Sequence, residues 1–223
     1  MPDPAYVRTA FARIADRYVL TNHVLSCGMD LWWRQVVSRR IRAWQPKRLL
    51  DVASGTGDLA LKLQQTCPDC EVIASDFCPE MLVHATNRGV KQTLVADALA
   101  LPFPDDGFDV VTVAFGLRNM ADYPKALAEM HRILKPGGHL VILDFSLPGG
   151  ILRGPYRFYL HHILPRLAGW LTRERDAYEY LGGSIEAFPS GSGMTGLLAN
   201  CGFHQNTATP LTFGVVSLYQ GSK

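Results

Sequence analysis

Two spacings of apolar positions recur along the chain and predict its elements. Short continuous apolar runs are typical of buried strands. The first run begins at residue 49, and the others occupy 71–75, 93–96, 109–115, 139–145 and 213–220. Apolar residues at intervals of three or four predict helices at 4–44, in two pieces split near residue 28, and at 59–63, 79–87, 123–134, 153–170, 176–185 and 194–199. Strands and helices alternate through the middle of the chain, which predicts a doubly wound α/β domain with a parallel sheet.

The length and the lack of internal repeats or linkers favour one domain. We expect it to fill residues 1–223, with a helical arm at 1–45, a cofactor-binding core at 46–146, a helical insertion for the substrate at 147–200 and C-terminal strands at 201–223. Ligands of doubly wound sheets lie at the carboxyl ends of the strands, so each strand end is a candidate site.

The junction after the first strand is a glycine-rich loop that suits a nucleotide cofactor. Gly55 and Gly57 lack a Cβ, so a ligand can approach the backbone near the amides of the next helix. The spacing to Ala60 also fits the dinucleotide fingerprint. Asp51 and Asp58 flank the loop, and their carboxylates would repel a pyrophosphate but attract the amino group and sulfonium of S-adenosylmethionine. The alternative is that Asp51 only orders the turn and Asp58 only favours the helix start.

Polar and aromatic residues also follow the next three strands. Asp76 comes 19 residues after the second loop glycine, about where an acid binds a ribose hydroxyl, and the ring of Phe77 is placed to stack on adenine. Asp97 and Ala98 follow the third strand, near the expected position of the adenine edge. The fourth strand runs into residues 114–119, where polar groups emerge from an apolar strand. Contact with solvent alone does not explain carboxylates at three successive strand ends.

Composition narrows the class of protein. A formal net charge of +2 gives no argument for a nucleic acid partner, and 48% hydrophobic with 19% charged residues is typical of a globular protein. Neither a signal peptide nor a run of about 20 apolar residues is visible, so we expect a cytoplasmic protein, either soluble or attached to a membrane surface. The five cysteines fit a reducing compartment. Cys67 and Cys70 lack the further ligands of a zinc site, so we expect an incidental pair and no metal.

Longer motifs carry a family resemblance. They are the leading segment 11–26, the loop 51–58, the segments 76–82 and 97–103, the strand end Phe115-Gly116-Leu117-Arg118-Asn119, residues 132–138 and 144–146, and parts of the insertion at 162–165, 178–185 and 188–189. Over nearly its whole length the chain resembles the ubiquinone and menaquinone biosynthesis C-methyltransferases, class I enzymes that use S-adenosylmethionine. The strand end at 115–119 is the most specific match, because many methyltransferases share the cofactor loop.

The resemblance implies a mostly parallel, seven-stranded, Rossmann-like sheet and a site for S-adenosylmethionine without a metal. Carried over by position, it implies cofactor contacts from Thr56, Asp76, Asp97 and Ala98. The predicted cofactor-binding residues are Asp51, Gly55, Thr56, Gly57, Asp76, Phe77, Met81, Asp97, Ala98, Ala114 and Phe115.

The resemblance also implies a substrate, a prenylated quinol that is methylated on a ring carbon. We expect demethylmenaquinol, with the 2-polyprenyl-6-methoxy-1,4-benzoquinol of ubiquinone biosynthesis as the alternative. Because such lipids are held in a membrane, we expect peripheral association with its inner face through arginines and apolar side chains of residues 153–170. The alternative is a cap helix with solvated arginines, and a homodimer is left open.

The chemistry of a quinol suggests three catalytic candidates. Removing the phenolic proton raises electron density on the ring carbon. Arg118 is expected to stabilise the phenolate, since a guanidinium is too basic to act as a base, and Asn119 to bond a quinol oxygen. His162 is the candidate base, with a solvated surface histidine as the alternative. Tyr159, Tyr178 and Tyr180 are expected in the pocket or the core.

Three other functions stay open. One is a methyltransferase of the same fold that acts on oxygen or nitrogen of a soluble small molecule. Another is an NAD-dependent oxidoreductase, which the glycine spacing allows but the two loop carboxylates disfavour. The third is a catalytically silent partner in a quinone-synthesis assembly.

Overall fold

A seven-stranded sheet runs through the centre of the computed structural model, which describes residue 26 and residues 28–166 and 182–223. The strands are β1 (Arg48–Val52), β2 (Glu71–Asp76), β3 (Thr93–Val95), β4 (Phe108–Ala114), β5 (Leu134–Phe145), β6 (His204–Leu211) and β7 (Val216–Ser222). Their order is β3-β2-β1-β4-β5-β7-β6, with β1 to β5 parallel and β7 antiparallel between β5 and β6. The predicted doubly wound, mostly parallel sheet is confirmed.

Helices cover both faces of this sheet. They are α1 (Met29–Ala43), α2 (Asp58–Thr66), α3 (Pro79–Asn87), α4 (Tyr123–Ile133), α5 (Arg153–Phe158) and α6 (Ser192–Asn200). A 3-10 turn at Leu117–Asn119 follows β4, a π-helical segment at Tyr159–Ile163 follows α5, and residues 182–187 are helical. The first predicted helix and most of the helix predicted at 176–185 lie outside the described residues.

Two apolar cores form because successive side chains of each central strand point to opposite faces. In β1, Leu50 faces a core built with α4 and α6, whereas Leu49 faces a core built with α1, α2 and α3. β4 repeats the pattern with Val111 and Val110. Burial on both faces explains why the strands are continuous apolar runs in the sequence.

The structure corrects three details of the predicted elements. β5 begins at Leu134, so residues 135–138 do not separate α4 from the strand, and a register irregularity opposite Phe108 and Val110 accommodates them. Phe213, predicted to begin the last strand, instead lies in a turn with φ 57°. β6 was not predicted as a separate strand, because this edge strand is mostly exposed and contains Pro210.

Candidate active site

A cavity opens at the carboxyl ends of β1, β2 and β4, where the strand order reverses. Its lining combines the loop after β1, the strand ends and one side chain of α1: Arg34, Asp51, Val52, Ala53, Ser54, Gly55, Asp58, Leu59, Asp76, Phe77, Cys78, Met81, Ala96, Asp97, Ala98, Leu99, Ala114, Phe115, Gly116, Asn119, Met120 and Ala121. The fold thus brings together most of the cofactor-binding residues predicted from the sequence.

Asp51 is a buried carboxylate in the floor of the cavity. Thr112 Oγ1 donates to Asp51 Oδ1 over 2.6 Å, and Ser54 Oγ donates to Oδ2 over 2.7 Å. Burial raises the pKa of Asp51 to about 6, against the lowering effect of these two hydrogen bonds. At neutral pH the cavity therefore holds a negative charge that the fold only partly compensates, and a cationic ligand would complete the compensation.

The other two strand-end carboxylates order the backbone around the cavity. Asp76 accepts hydrogen bonds from the amides of Gly55, over 2.8 Å, and Cys78, over 2.9 Å. Burial raises the pKa of Asp76. Asp97 is exposed, and its Oδ1 accepts the amide of Leu99 over 2.9 Å. Asp76 therefore ties the glycine loop to the end of β2.

Two residues with a strained backbone lie where the loops after β1 and β4 meet. Ala53 (φ 51°) and Phe115 (φ 58°) both line the cavity and both adopt the left-handed region, which non-glycine residues rarely occupy. A Cβ on Gly116 would lie 2.6 Å from the Cβ of Ala53. Only glycine therefore permits this close approach of the two loops.

Asp58 is less available to a ligand than its sequence position suggests. One carboxylate oxygen lies 2.7 Å from Arg88 Nη2, and the other lies 3.7 Å from Arg34 Nη2 and accepts from Thr56 Oγ1 over 3.2 Å. The two guanidinium groups offset the negative charge of Asp58. Asp51, without such a close ion pair, is the stronger attractor for a cation.

Two predicted cofactor residues lie in the loop but outside the cavity lining. Thr56 is buried, and its carbonyl accepts from Arg88 Nη1 over 2.8 Å. Gly57 has φ 80°, and an added Cβ would lie 2.5 Å from the side chain of Val90. The second loop glycine is therefore required by packing against the segment after α3 as well as by the turn.

Arg118 forms a buried ion pair next to the cavity. Its Nη1 lies 2.6 Å from Asp144 Oδ1 and also donates to the carbonyl of Phe115 over 2.7 Å. Within residues 28–166 and 182–223, the Arg118 Nε and Asp144 Oδ2 atoms are buried and have no hydrogen-bond partner. Asn119 does line the cavity, and its Nδ2 donates to the same carbonyl of Phe115 over 3.4 Å.

His162 lies outside this cavity lining, in the π-helical segment. Its ring is exposed and stacks on Phe158, with centroids 4.7 Å apart. Tyr159 stacks on Tyr156 in a small apolar cluster after β5. Tyr178 and Tyr180 lie outside the described residues.

The geometry fits the predicted cofactor. The anionic floor at Asp51 suits a cation, the backbone-ordering Asp76 and the ring of Phe77 suit a nucleoside, and Gly55 leaves room for close approach. Arg34 adds a buried guanidinium whose Nε finds no hydrogen-bond partner among the described residues, which suits a carboxylate. Only a ligand with both charges, such as an amino acid, uses all of these groups.

Comparison with known proteins decides the family. The family model described as the ubiE/COQ5 methyltransferase family matches residues 2–223. The chain belongs to this family. It is 47% identical to the demethylmenaquinone methyltransferase of Thermus thermophilus over 96% of this chain and 99% of that one. It is 37% identical to a ubiquinone/menaquinone biosynthesis C-methyltransferase UbiE of Dinoroseobacter shibae, over 97% and 90%.

The fold has the same relatives. A solved SAM-dependent methyltransferase from Thermotoga maritima, a possible histamine N-methyltransferase, superposes with a TM-score of 0.62 over 92% of this chain and 99% of that one, at 19% identity. This ubiE/COQ5 family member is therefore a class I methyltransferase that uses S-adenosylmethionine, as the resemblance implied.

Within the described ranges, the cysteines and the potential metal-binding side chains form no second reactive or metal-binding site. Burial raises the pKa of both the Cys67 and the Cys70 thiol, which disfavours the reactive thiolate. No cluster of three or more His, Cys, Asp or Glu side chains in the described part of the chain could hold a metal ion.

Proposed function

We propose that this methyltransferase methylates a ring carbon of demethylmenaquinol, a prenylated naphthoquinol. The observation that carries the proposal is the near full-length identity of 47% with a demethylmenaquinone methyltransferase. The apolar strand end at Phe115, beside the polar side chain of Asn119, supports it, because a quinol ring offers an aromatic face and a hydroxyl to these two groups.

The cavity described above would hold the cofactor, and the strand-end residues predicted from the sequence would bind it. When bound, S-adenosylmethionine supplies an electrophilic methyl group. Asp51 would attract its positive charge, Asp76 and Phe77 would hold the nucleoside, and Asp97 and Ala98 would border the base. The protein's main contribution is to hold donor and acceptor in line.

Arg118 contributes to the substrate side of the site by holding neighbouring groups in place. Its ion pair with Asp144 holds the guanidinium beneath the carbonyl of Phe115, and this fixes the strand end that carries Asn119. Asn119 donates to a quinol oxygen, and the nearby positive charge stabilises the phenolate. Arg118→Lys keeps the charge but not the planar fork, so it should lower kcat more than it changes the Kd for S-adenosylhomocysteine.

His162 is proposed as the base that takes the phenolic proton. A matched comparison tests this role, since the neighbouring His161 is also exposed but pairs with Glu186 over 3.1 Å. His162→Gln should lower kcat at least tenfold, and His161→Gln should leave it within about twofold. Equal rates for the two variants would remove His162 from the mechanism.

Radiolabelled methyl transfer tests the proposed substrate. Reduced demethylmenaquinol and a prenylated 6-methoxy-benzoquinol are offered side by side with labelled S-adenosylmethionine. Label in the naphthoquinol alone supports the proposal, and label in both extends it to a shared enzyme. If only the benzoquinol or neither quinol takes label while calorimetry shows cofactor binding, the demethylmenaquinol assignment is wrong.

We further infer peripheral association with the inner face of an anionic membrane from the cytoplasmic side. No described helix is long and apolar enough to span a bilayer. Phe213 is 85% exposed and Ile151 94% exposed, at the edge of the sheet where the cavity opens. The exposed Arg153 and Arg166 lie nearby in the chain and carry the charge that anionic head groups attract.

Vesicle flotation tests this association. The protein should float with vesicles that contain about a third phosphatidylglycerol and less with neutral vesicles, because both apolar and cationic groups contribute. Failure to float with either vesicle would contradict it.

A further inference from the structure

Arg34 is a buried cation that no sequence motif indicated. It lies on α1, is 7% exposed, and lines the cavity together with residues of the glycine loop. The face of the Phe115 ring lies 5.6 Å from the guanidinium carbon. α1 therefore brings a positive charge into the cavity formed by the strand ends.

The ion pairs of Arg34 leave part of its guanidinium without a partner. Nη1 donates to Asp30 Oδ2 over 2.6 Å and to the Asp30 carbonyl over 3.2 Å. Nη2 lies 3.7 Å from Asp58 Oδ2, which is longer than a hydrogen bond. Nε is buried, and no atom in the part of the chain that the structure describes accepts a hydrogen bond from it. Buried donors of this kind are uncommon in proteins and call for an acceptor.

The charges of the cavity show which acceptor fits. Asp51 offers a negative charge on the floor, and Arg34 offers a positive charge on the wall. The methionyl end of S-adenosylmethionine is a zwitterion with a sulfonium beside it, so its cationic groups match Asp51 and its carboxylate needs a cation. Arg34 is the guanidinium in the cavity lining, and guanidinium groups bind carboxylates through two parallel hydrogen bonds.

We propose that Arg34 binds the carboxylate of S-adenosylmethionine and so fixes the methionyl end of the cofactor. The ion pair with Asp30 positions the guanidinium, and the donors that Asp30 leaves free take the ligand. α1 is thereby coupled to cofactor binding, since it carries both residues.

Calorimetry with two ligands separates this role from a structural one. S-Adenosylhomocysteine carries the carboxylate, whereas S-adenosyl-3-thiopropylamine lacks only that group and keeps the amine. Arg34→Gln should raise the Kd for the first ligand about 10- to 100-fold, the loss expected for a hydrogen bond to a charged group. The Kd for the second ligand should stay within about twofold. Arg40→Gln, an exposed change on the same helix, should alter neither.

Each other pattern overturns the proposal. An equal loss of both ligands would mean that Arg34 only supports the structure of the cavity, and unchanged binding of both would mean that the carboxylate lies elsewhere. Arg34→Lys gives a second readout that does not depend on removing the charge. It should recover part of the affinity for S-adenosylhomocysteine and leave the decarboxylated ligand unaffected, because an ammonium keeps the charge but not the planar fork.

Discussion

At the scale of single residues, we expect Asp51 to link cofactor affinity to pH. Burial raises its pKa from 3.8 to about 6, so it loses its negative charge as the pH falls through 6. The Kd for S-adenosylmethionine should then rise, by up to about tenfold per pH unit below 6. Calorimetry between pH 5 and 8 measures this rise, and Asp51→Asn should show a weaker, flatter profile. An unchanged rise in Asp51→Asn would assign the titration to Asp76, whose pKa burial also raises.

The same carboxylate should act on stability with the opposite sign. An acid with a higher pKa in the folded state binds more protons when folded, so the ligand-free protein gains stability as the pH falls from above 6 towards 4. The shift from 3.8 to about 6 corresponds to at most about 3 kcal/mol. Urea unfolding should therefore show a smaller gain over this window in Asp51→Asn. An equal gain in both proteins would contradict it.

Asp144 is expected to matter for folding far more than an exposed partner of an arginine. It is fully buried against Arg118, and Asp144→Asn would leave a buried guanidinium without its counter-charge. The free energy of unfolding should fall by about 3–5 kcal/mol. The exposed pair of Arg48 and Glu71, at 2.8 Å, provides the control, and Glu71→Gln should cost below about 1 kcal/mol. Similar losses of unfolding free energy in the two variants, measured with urea, would show that burial does not determine how much an ion pair contributes to stability.

At the scale of elements, the loops after β1 and β4 are held together by a contact that excludes even a methyl group. In Gly116→Ala the new Cβ would lie 2.6 Å from Ala53 Cβ, so the cofactor loop must move. We expect a loss of about 1–3 kcal/mol of stability and weaker binding of S-adenosylhomocysteine.

Gly196→Ala is the matched control for that change. Gly196 lies within α6, and a Cβ there meets nothing within 4 Å. Alanine should raise the free energy of unfolding by about 0.5–1 kcal/mol without changing ligand binding, because it restricts the unfolded chain. A loss of stability in Gly196→Ala, or none in Gly116→Ala, would contradict the packing argument.

The elements also show what the sequence could and could not predict. β2, β3 and β4 were predicted to within one residue at each end, because strands buried on both faces leave continuous apolar runs. β6 was missed because an exposed edge strand carries no such run.

The site divides in the same way. Asp51 and Asp76 lie at the carboxyl ends of strands and were predicted, but Arg34 lies on a helix and reaches the cavity only through tertiary packing. The pairing of Arg118 with Asp144 was missed for the same reason, since the two residues are 26 apart in the sequence and meet only through the pairing of β4 with β5 in the sheet.

At the scale of the whole molecule, the cavity lies at the carboxyl ends of the parallel strands. The exposed side chains of Phe213 and Ile151, called the apolar tip below, lie at the same end of the sheet. Trp33 connects them, because its ring packs 5.9 Å from that of Phe115 and its Nε1 donates to Thr212 Oγ1 over 2.8 Å. Phe213 follows in a left-handed turn that directs an aromatic ring into solvent at a conformational cost. An exposed ring held at a conformational cost is expected at a contact surface, and under the proposed function this ring would serve the entry of a lipid substrate.

This arrangement predicts that the tip matters only for substrates in a bilayer. A variant with Phe213→Ser and Ile151→Ser should lose most of its methyl transfer to a long-chain prenylated quinol in anionic vesicles, since it removes two apolar groups from the proposed membrane contact. Transfer to a quinol with one short prenyl unit, dispersed in detergent, should stay within about twofold of the unaltered protein. Val83→Ser, at an exposed position of α3, should change neither rate. If the rates of methyl transfer to both substrates fall equally, the two side chains are needed for folding or for the reaction itself. If both rates are retained, the lipid enters elsewhere on the molecule.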